Sequence, residues 1–262
     1  MKLITSAANP AYRRWLRLAT APRAVRVEGA TLAEGVHLAA AALAAGASVE
    51  AVLLRRGERA PDVAEVLAQT GSAPAYELAA ELYDRLGLVE RGAGVTLVVR
   101  LPDEGRASGA GDALYLEAIQ DPGNAGTVLR IAAAAGVRQV FAGLGTASLW
   151  SPRVLRAGQG AHFRLRLVED LAVTELPERF DGPWIGTVVR EAPSLWEAAL
   201  PASPVGWMLG NEGQGLSSAA LAQCALRVRI PLETAVESLN VAAAAAVSLF
   251  ERRRRLAAPS TR

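Results

Sequence analysis

The chain has very little of the chemistry that metal-dependent and thiol-dependent enzymes need. Its 262 residues contain one cysteine, Cys224, and two histidines, His37 and His162, which lie far apart in the sequence. A single cysteine excludes an internal disulfide, and so few ligands argue against a zinc site built from His and Cys. We therefore expect no metal in the functional site.

Long apolar segments are also missing. Residues 38–45 and 241–250 are the most apolar runs, and both are short and mostly alanine, whereas a helix needs roughly 20 apolar residues to cross a bilayer. At the N-terminus, Pro10 and two arginines interrupt the chain before an apolar signal core could form. With 51% hydrophobic and 21% charged residues, the composition is that of a folded protein. These features predict a cytoplasmic protein with no membrane partner.

Lysine occurs once, at Lys2, so 27 of the 28 basic residues are arginines. The first 27 residues contain no acid and carry five of them, namely Arg13, Arg14, Arg17, Arg23 and Arg26. The planar guanidinium suits phosphate oxygens, so this segment fits an arm that contacts RNA. It fits equally well a general preference for arginine on solvated helix faces. A second run, at residues 252–255, is expected to be a solvated helix end or a dimer surface.

Residues 1–105 alternate helices with short strands, which predicts a small α/β domain. We expect helices at residues 9–20, 31–45, 61–69 and 78–86, and strands at 25–29, 48–54 and 94–100. The segment that follows is rich in glycine and charge without apolar periodicity, so we place a linker at residues 106–112.

In residues 113–262, predicted strands alternate with predicted helices. Strands are expected at residues 113–119, 138–144, 163–168, 184–190, 205–209 and 226–230, and helices at 124–135, 152–157, 170–179 and 237–256. Strands that alternate with helices imply a parallel sheet covered on both faces. Ligands of such sheets bind beyond the carboxyl ends of the strands, so the loops at those ends are where a site is expected.

Two of these loops carry glycine beside polar residues. In DPGNAGTVLRIAAAAG (121–136), Asn124 can cap the helix that follows and Arg130 lies near its start. The spacing fails the GxGxxG fingerprint, and an ordinary turn with a surface arginine remains an alternative. In LGNEGQGLS (209–217), three glycines within six positions imply positive φ or a close approach. Glu212, in the middle of this loop, would need a partner such as an arginine.

The third loop is IPLETAVESLNVA, which opens the long last helix. Ser238 and Asn240 are residues that commonly begin helices, so capping explains one of them and leaves the other open. The alanines that follow would allow another helix or a chain crossing to pack closely against this helix.

Taken together and in this order, the three loops resemble the three motifs of the SpoU/TrmH family of RNA ribose 2′-O-methyltransferases, within the SPOUT class. The resemblance covers residues 113–256. Two departures are Ile131, where the family usually has threonine, and residues 232–235, where a glycine usually follows the proline. The segments NPAYRRWLRL and VEGATLAEGVHLAAAAL make residues 1–105 resemble the ribosomal-protein-like RNA-binding domain that many members carry.

The resemblance implies a fold and a cofactor. The fold would be an α/β protein whose C-terminal domain is a parallel sheet with a deep trefoil knot, and the enzyme would be a homodimer that shares its active site across the interface. S-adenosylmethionine would be held mostly by backbone groups. By motif, its contacts would be Gly210, Ile230 and Leu239, with Met208, Leu209 and Thr187 beside them.

The resemblance also implies roles for five side chains, namely Arg130, Asn124, Glu212, Ser238 and Asn240. Methyl transfer to a ribose hydroxyl depends on alignment of the nucleophile with the methyl group. Because a guanidinium keeps its proton in proteins, we expect Arg130 to grip a phosphate and orient the 2′-hydroxyl instead of acting as a base. Glu212 would orient Arg130 or another arginine. Asn124 would fix the arginine or the ribose. Ser238 and Asn240 would shape the pocket.

The N-terminal domain favours large-subunit (23S) ribosomal RNA as the substrate, by family analogy. Transfer RNA is the alternative substrate. A non-catalytic RNA-binding or ribosome-associated protein on the same fold is the alternative function, although the five polar residues argue against it. A nucleotide-dependent oxidoreductase is disfavoured by the failed glycine fingerprint and by the lack of an acidic residue after the second strand.

Overall fold

The computed structural model describes residues 1–58, 60–87, 94–102 and 111–257. The chain divides into two compact units. The N-terminal unit comprises Met1–Asp103 together with Trp150–Phe163, and the C-terminal unit comprises Glu104–Leu149 together with Arg164–Arg262. Residues 105–110, which hold the predicted domain boundary and most of the predicted linker, lie outside the described residues. The sequence-based division had placed the segment Trp150–Phe163 in the second domain.

The N-terminal unit is a five-stranded sheet with helices. Its elements are β1 (Lys2–Ile4), α1 (Pro10–Thr20), α2 (Pro22–Glu28), β2 (Ala30–Glu34), α3 (Val36–Ala44), β3 (Val49–Arg55), α4 (Pro61–Gln69), β4 (Ala75–Leu78), α5 (Ala80–Asp84) and β5 (Val95–Arg100). The strand order is β1-β4-β3-β5-β2. Strand β5 runs antiparallel to both of its neighbours, and the other pairs are parallel.

Helix α1 shows why the local sequence folds as it does. The Asn9 side chain accepts hydrogen bonds from two backbone amides of the first turn, and Pro10 supplies the fixed φ that suits this position. Tyr12, Trp15 and Leu18 recur every third residue and are buried, so the helix packs one apolar face into the core. The two aromatic rings are therefore core residues and are not available for stacking on bases.

In this unit one sequence prediction is wrong in kind, and two predicted helices form but start later than expected. The expected strand at residues 25–29 is helix α2, which starts at Pro22 and ends at Gly29 in the left-handed region (φ 59°). The strand is the next segment, β2, so the helix expected at 31–45 begins only at Val36. The helix expected at 78–86 is likewise preceded by a strand, β4, and forms only as α5. In the first two cases burial in the sheet decides, because β2 has four consecutive buried residues whereas Val27 of α2 is 76% exposed.

The C-terminal unit contains a six-stranded sheet in which every pairing is parallel, in the order β11-β9-β10-β6-β7-β8. This confirms the predicted parallel sheet. In chain order the elements are β6 (Ala113–Leu116), α6 (Pro122–Ala135), β7 (Gln139–Ala142), α7 (Pro152–Gly158), a 3-10 turn (Ala161–Arg164), β8 (Arg166–Val168), a 3-10 turn (Val173–Glu175), α8 (Leu176–Arg179), β9 (Trp184–Val188), β10 (Gly206–Leu209), α9 (Ser218–Gln223), β11 (Cys224–Arg229) and α10 (Val241–Ala257). Helix α7 and most of the first 3-10 turn lie in the segment that belongs to the N-terminal unit.

Several boundaries differ from the predictions. The strand expected from residue 163 starts at Arg166, and the helix expected from 170 is a 3-10 turn followed by the short α8. The last helix starts at Val241, four residues later than expected, and it packs along α6. The alanines of both helices permit that close packing.

The arginine run at residues 252–255 is only partly the solvated helix end that the sequence suggested, because Arg253 and Arg254 are exposed whereas Arg252 is buried. Arg252 is 3% exposed and donates from Nε to Asp112 Oδ2 at 3.2 Å. It also donates to the carbonyl of Pro201 and, at 2.6 Å, to that of Ser203. The charge is therefore buried with its partners, which is the condition under which burial of a charge is tolerated. Within the described ranges, no helix is long and apolar enough to span a membrane.

Candidate active site

Loops that follow β9, β10 and β11 line a cleft of about 620 Å³ at the carboxyl edge of the parallel sheet. The loop after β10 contributes every residue from Leu209 to Leu216, the end of β9 contributes Thr187 and Val189, and the segment after β11 contributes Ile230 and Leu239. This is the edge where parallel sheets bind ligands, and the volume lies within the range of small-molecule sites.

The loop between β10 and α9, residues 210–217, is called the glycine loop below. Its conformation requires glycine at two positions. A Cβ added to Gly210 would lie 2.2 Å from the carbonyl carbon of Gly215, and Gly215 itself has a positive φ of 70°. Inside the turn, Asn211 Oδ1 accepts hydrogen bonds from the amides of Gly213 (2.9 Å) and Gln214 (3.2 Å). The backbone is thus folded on itself and faces the cleft.

Three of the five predicted catalytic residues form one hydrogen-bonded chain. Asn124 Nδ2 donates to Glu212 Oε1 at 2.9 Å, and Asn240 Nδ2 donates to Asn124 Oδ1 at 3.0 Å. Asn240 Oδ1 in turn accepts from the amide of Ala242 at 2.9 Å, so Asn240 also caps α10. The three side chains come from the first turn of α6, the glycine loop and the residue before α10, and their contacts tie these three segments together. Glu212 is thus partnered by an asparagine and not by the arginine that the sequence suggested.

The sequence suggested Asn124 as the cap of α6, but in the structure Asn124 does not cap this helix. The cap is Asp121, whose Oδ1 accepts from the Asn124 amide at 2.7 Å. Because Asp121 takes the capping role, the Asn124 side chain is left to bond Glu212 and Asn240. The sequence signal for this cap is Asp121 itself, an acid directly before Pro122, which is the first helical residue.

Arg130 lies on α6 and is exposed. Within the described part of the chain its guanidinium makes no hydrogen bond and no ion pair. Ser238 lines the cleft and is exposed. The two remaining predicted catalytic residues are therefore open to solvent and can contact a ligand.

Five of the six predicted cofactor contacts line the cleft, namely Thr187, Leu209, Gly210, Ile230 and Leu239. The sixth, Met208, is fully buried in the core and its sulfur lies 3.6 Å from the sulfur of Cys224. The cleft begins at Leu209, the last residue of β10, so Met208 lies one residue too deep in the sheet to line it. The Thr187 hydroxyl is buried and has no hydrogen-bond partner among the described residues.

The remaining candidate for nucleophilic chemistry, Cys224, is unsuited to it. Burial raises the pKa of the Cys224 thiol to about 11, and the thiolate is the nucleophilic form. Across the part of the chain that the structure describes, no group of three or more His, Cys, Asp or Glu side chains could hold a metal ion.

The predicted RNA-contacting arginines of α1 and α2 differ in their partners. Arg14 bonds Glu28 at 2.6 Å and Glu50 at 2.9 Å, and Arg17 bonds Glu28 at 3.3 Å. Arg13 and Arg23 are exposed and form no hydrogen bond or ion pair with any described residue. Arg26, the fifth, is also exposed.

Comparisons with known proteins agree with this geometry. The family model described as the SpoU rRNA Methylase family matches residues 113–250. The chain is 32% identical to a Bacillus subtilis protein named 23S rRNA (guanosine(2553)-2'-O)-methyltransferase RlmP, over 97% of this chain and 100% of that protein. An uncharacterized tRNA/rRNA methyltransferase of Synechocystis is 34% identical over 98% of this chain and 96% of that protein.

Solved structures share the fold over the same length. A structure described as an RNA 2'-O ribose methyltransferase is 31% identical, with a TM-score of 0.80, and the match covers 97% of this chain and 98% of that one. An AdoMet-bound rRNA methyltransferase from Sinorhizobium meliloti, 24% identical, has the same fold with a TM-score of 0.85 over 98% of this chain and 99% of that one. The chain belongs to the SpoU rRNA methylase family.

Proposed function

We propose that this protein is an RNA ribose 2′-O-methyltransferase that uses S-adenosylmethionine and acts on 23S ribosomal RNA. The observation that carries the proposal is the hydrogen-bonded chain from Glu212, which lines the cleft, through Asn124 of α6 to Asn240, which precedes α10. The Bacillus subtilis relative, matched along its whole length, is named as an enzyme of this kind.

The cleft fits S-adenosylmethionine. The glycine loop lines the cleft from Gly210 to Leu216, and Ile230 and Leu239 add apolar surface. The buried Thr187 hydroxyl lacks a partner among the described residues, and a bound ligand with a polar group would satisfy it. When bound, S-adenosylmethionine supplies an activated methyl group for transfer. Gly210, Leu209, Thr187, Ile230 and Leu239 are the residues that would hold it.

The chain's own contribution is alignment. Arg130 offers a planar set of donors with no partner among the described residues, which suits a phosphate next to the target ribose. The Asn124 amide is held from both ends, so its position is fixed before a ligand arrives. Ser238 lies at the mouth of the cleft. These groups orient the 2′-hydroxyl for displacement in line with the methyl group, which is where most of the rate gain of such a reaction arises.

The architecture around the site is proposed on the same basis. The segment after β11 lines the cleft together with the glycine loop, and it then places α10 against α6, which supports a deep trefoil knot. Val236 (50% exposed) and Leu239 (37% exposed) present apolar surface beside the cleft, which supports a homodimer that covers it. Residues 1–105 serve as the RNA substrate-binding domain and residues 113–262 as the methyltransferase domain, in a cytoplasmic enzyme.

The experiment that tests this function measures methyl transfer from tritiated S-adenosylmethionine to 23S rRNA and to tRNA. Wild type should label 23S rRNA at a ribose 2′-oxygen. Arg130→Ala should keep its affinity for S-adenosylmethionine within about twofold and lose at least tenfold in rate, which corresponds to a barrier increase of about 1.4 kcal/mol or more.

Neither Arg130 nor Arg179 lines the cleft, but Arg130 shares α6 with Asn124, whereas Arg179 is an exposed arginine at the end of α8. Arg179→Ala is therefore the matched control for that substitution. It should retain the wild-type rate. A wild type that labels only tRNA would overturn the assigned substrate, one that binds no S-adenosylmethionine would overturn the function, and an Arg130→Ala rate above a tenth of wild type would overturn the role of Arg130.

A further inference from the structure

Two consecutive residues after β6, Glu117 and Ala118, bond opposite ends of the glycine loop. This contact is possible because β6 and β10 are neighbouring parallel strands, so their carboxyl ends lie side by side. The Glu117 amide continues the ladder by donating to the carbonyl of Leu209 at 2.9 Å. Glu117, the first residue after β6, is therefore already bonded to the residue that precedes the glycine loop.

Glu117 holds the far end of the loop with both oxygens of its carboxylate. Oε2 accepts from the Ser217 amide at 2.8 Å, and Oε1 accepts from the Ser217 hydroxyl at 2.7 Å. The same hydroxyl accepts from the Ala220 amide at 3.1 Å and so caps α9. Hydrogen bonds to an ionised carboxylate are stronger than neutral ones, so this pair is the main polar anchor of the loop's end.

Ala118 holds the near end of the loop. Its carbonyl accepts from Asn211 Nδ2 at 2.9 Å, while the other side of the Asn211 amide organises the turn. Ala118 has a positive φ of 53°, which L-residues with a side chain adopt only when the surroundings enforce it. The strained backbone and the Glu117 carboxylate together hold the glycine loop at both ends.

We infer that Glu117 is a positioning residue for the methyl-donor cleft, and this inference rests on the proposed function. Glu117 does not line the cleft itself. The loop that it anchors supplies the cleft wall from Gly210 to Leu216 and carries Glu212, which bonds Asn124. Loss of the anchor frees the loop's end, so the cleft must be ordered again each time a donor binds, which lowers affinity.

The test compares Glu117→Ala and Glu117→Gln with a matched control, Glu169→Ala. In the same unit, Glu169 Oε1 accepts from the backbone amide of Leu149 at 2.6 Å and lies outside the cleft. S-adenosylmethionine binding is measured by calorimetry, and thermal stability is measured for each variant. Glu117→Ala should weaken binding at least tenfold. Glu117→Gln should be intermediate, because an amide can accept from the Ser217 amide and donate to its hydroxyl.

The control should lower the melting temperature and leave donor affinity within twofold of wild type. A double-mutant cycle with Ser217→Ala should be non-additive in donor affinity, since both single changes remove the same contact. Equal losses of affinity in Glu117→Ala and Glu169→Ala, or donor binding by Glu117→Ala within twofold of wild type, would overturn the positioning role.

A second readout does not depend on the donor. Hydrogen exchange of the Gly213 and Gln214 amides, which Asn211 holds, should be faster in unliganded Glu117→Ala than in wild type and unchanged in Glu169→Ala. If wild type fails to bind S-adenosylmethionine, the proposed function fails, while this exchange rate still decides whether Glu117 orders the loop. Unchanged exchange in Glu117→Ala would overturn the inference.

Discussion

The two arginine-rich regions of this protein use the same side chain for different purposes. At the end of α10, Arg252 and Arg255 donate to backbone carbonyls of residues 195–203, and Arg254 and Arg255 also pair with Glu251. In α1, Arg14 and Arg17 bond carboxylates, whereas Arg13 of α1 and Arg23 of α2 bond no described residue. One region therefore fastens a loop to a helix, and the other leaves charge on the surface.

The two regions differ because their guanidinium groups have different hydrogen-bond acceptors within reach. Residues 195–203 form no helix and no strand of the sheet, so their carbonyls need donors from elsewhere. Arginine supplies five donors in a fixed fork, which lets a single side chain satisfy several carbonyls. The partners of the α1 arginines are instead acidic side chains, namely Glu28 at the end of α2 and Glu50 of β3. The availability of an arginine for phosphate thus depends on its partners and not on how many arginines are nearby.

Among the substitutions that test this comparison, the largest change in the free energy of unfolding is expected when Arg252 is replaced. Replacement by methionine removes the charge and keeps much of the volume. It removes the guanidinium that bonds the 201–203 carbonyls, and it leaves the Asp112 carboxylate with the Val205 amide as its donor. Breaking a buried pair in this way costs about 3–5 kcal/mol, which urea unfolding would measure. Arg253→Met, next to it and exposed, should change the free energy of unfolding by no more than about 0.5 kcal/mol. A loss below about 1 kcal/mol at Arg252 would show that the cluster does not fasten the loop.

A smaller effect is expected for RNA binding by the N-terminal arginines. The double substitution of Arg13 and Arg23 with alanine should remove two phosphate contacts and flatten the log–log salt dependence of single-stranded RNA binding by about 1.4. Arg14→Ala is the matched control, because Arg14 is already occupied by Glu28 and Glu50, and its salt slope should equal that of wild type. Equal slopes for all three proteins, measured by filter binding over a salt series, would show that this surface does not contact RNA.

The parts of the fold that the sequence predicts well are those decided by local pattern. The parallel sheet of the C-terminal unit follows from apolar strands that alternate with helices, and α1 follows from Asn9, Pro10 and a regular apolar spacing. Strand β2 was missed because its burial comes from elements distant in sequence, including α7. Its own residues, ATLAE, carry no alternation that separates a strand from a helix.

The site likewise contains residues that local motifs identify and residues that they do not. Asn124, Glu212 and Asn240 could be selected from their motifs, and the structure brings them together. The pairs Glu117–Ser217 and Asp112–Arg252 could not be found, because no motif marks either partner. Nothing in the sequence around Glu117 or Arg252 distinguishes them from ordinary surface charges. Such pairs become visible only when the sheet order places the two segments side by side.

The smallest effect concerns the pH dependence of the α10 cluster. Hydrogen bonds from Arg254, with a further contribution from Arg255, lower the pKa of Glu251 from 4.5 to about 2. A carboxyl group whose pKa is lower in the folded state stabilises the fold fully above the unfolded pKa. That stabilisation is lost as the pH falls toward the folded pKa, here between about 4.5 and about 2.

Glu251→Gln should therefore lower the free energy of unfolding at neutral pH by about 1 kcal/mol or less, since Arg254 is 67% exposed and solvent screens the pair. The difference between the variant and wild type should vanish as the pH approaches 2. Urea unfolding between pH 2 and pH 7 measures it, and Glu178→Gln, an exposed acid on α8, should track wild type throughout. A Glu251→Gln deficit that persists unchanged at the acid end would mean that the carboxylate's charge is not what fastens Arg254 and Arg255. The loop at residues 195–203 would then depend on the shape of the arginine cluster alone, and the contrast with the carboxylate pairs of α1 would weaken.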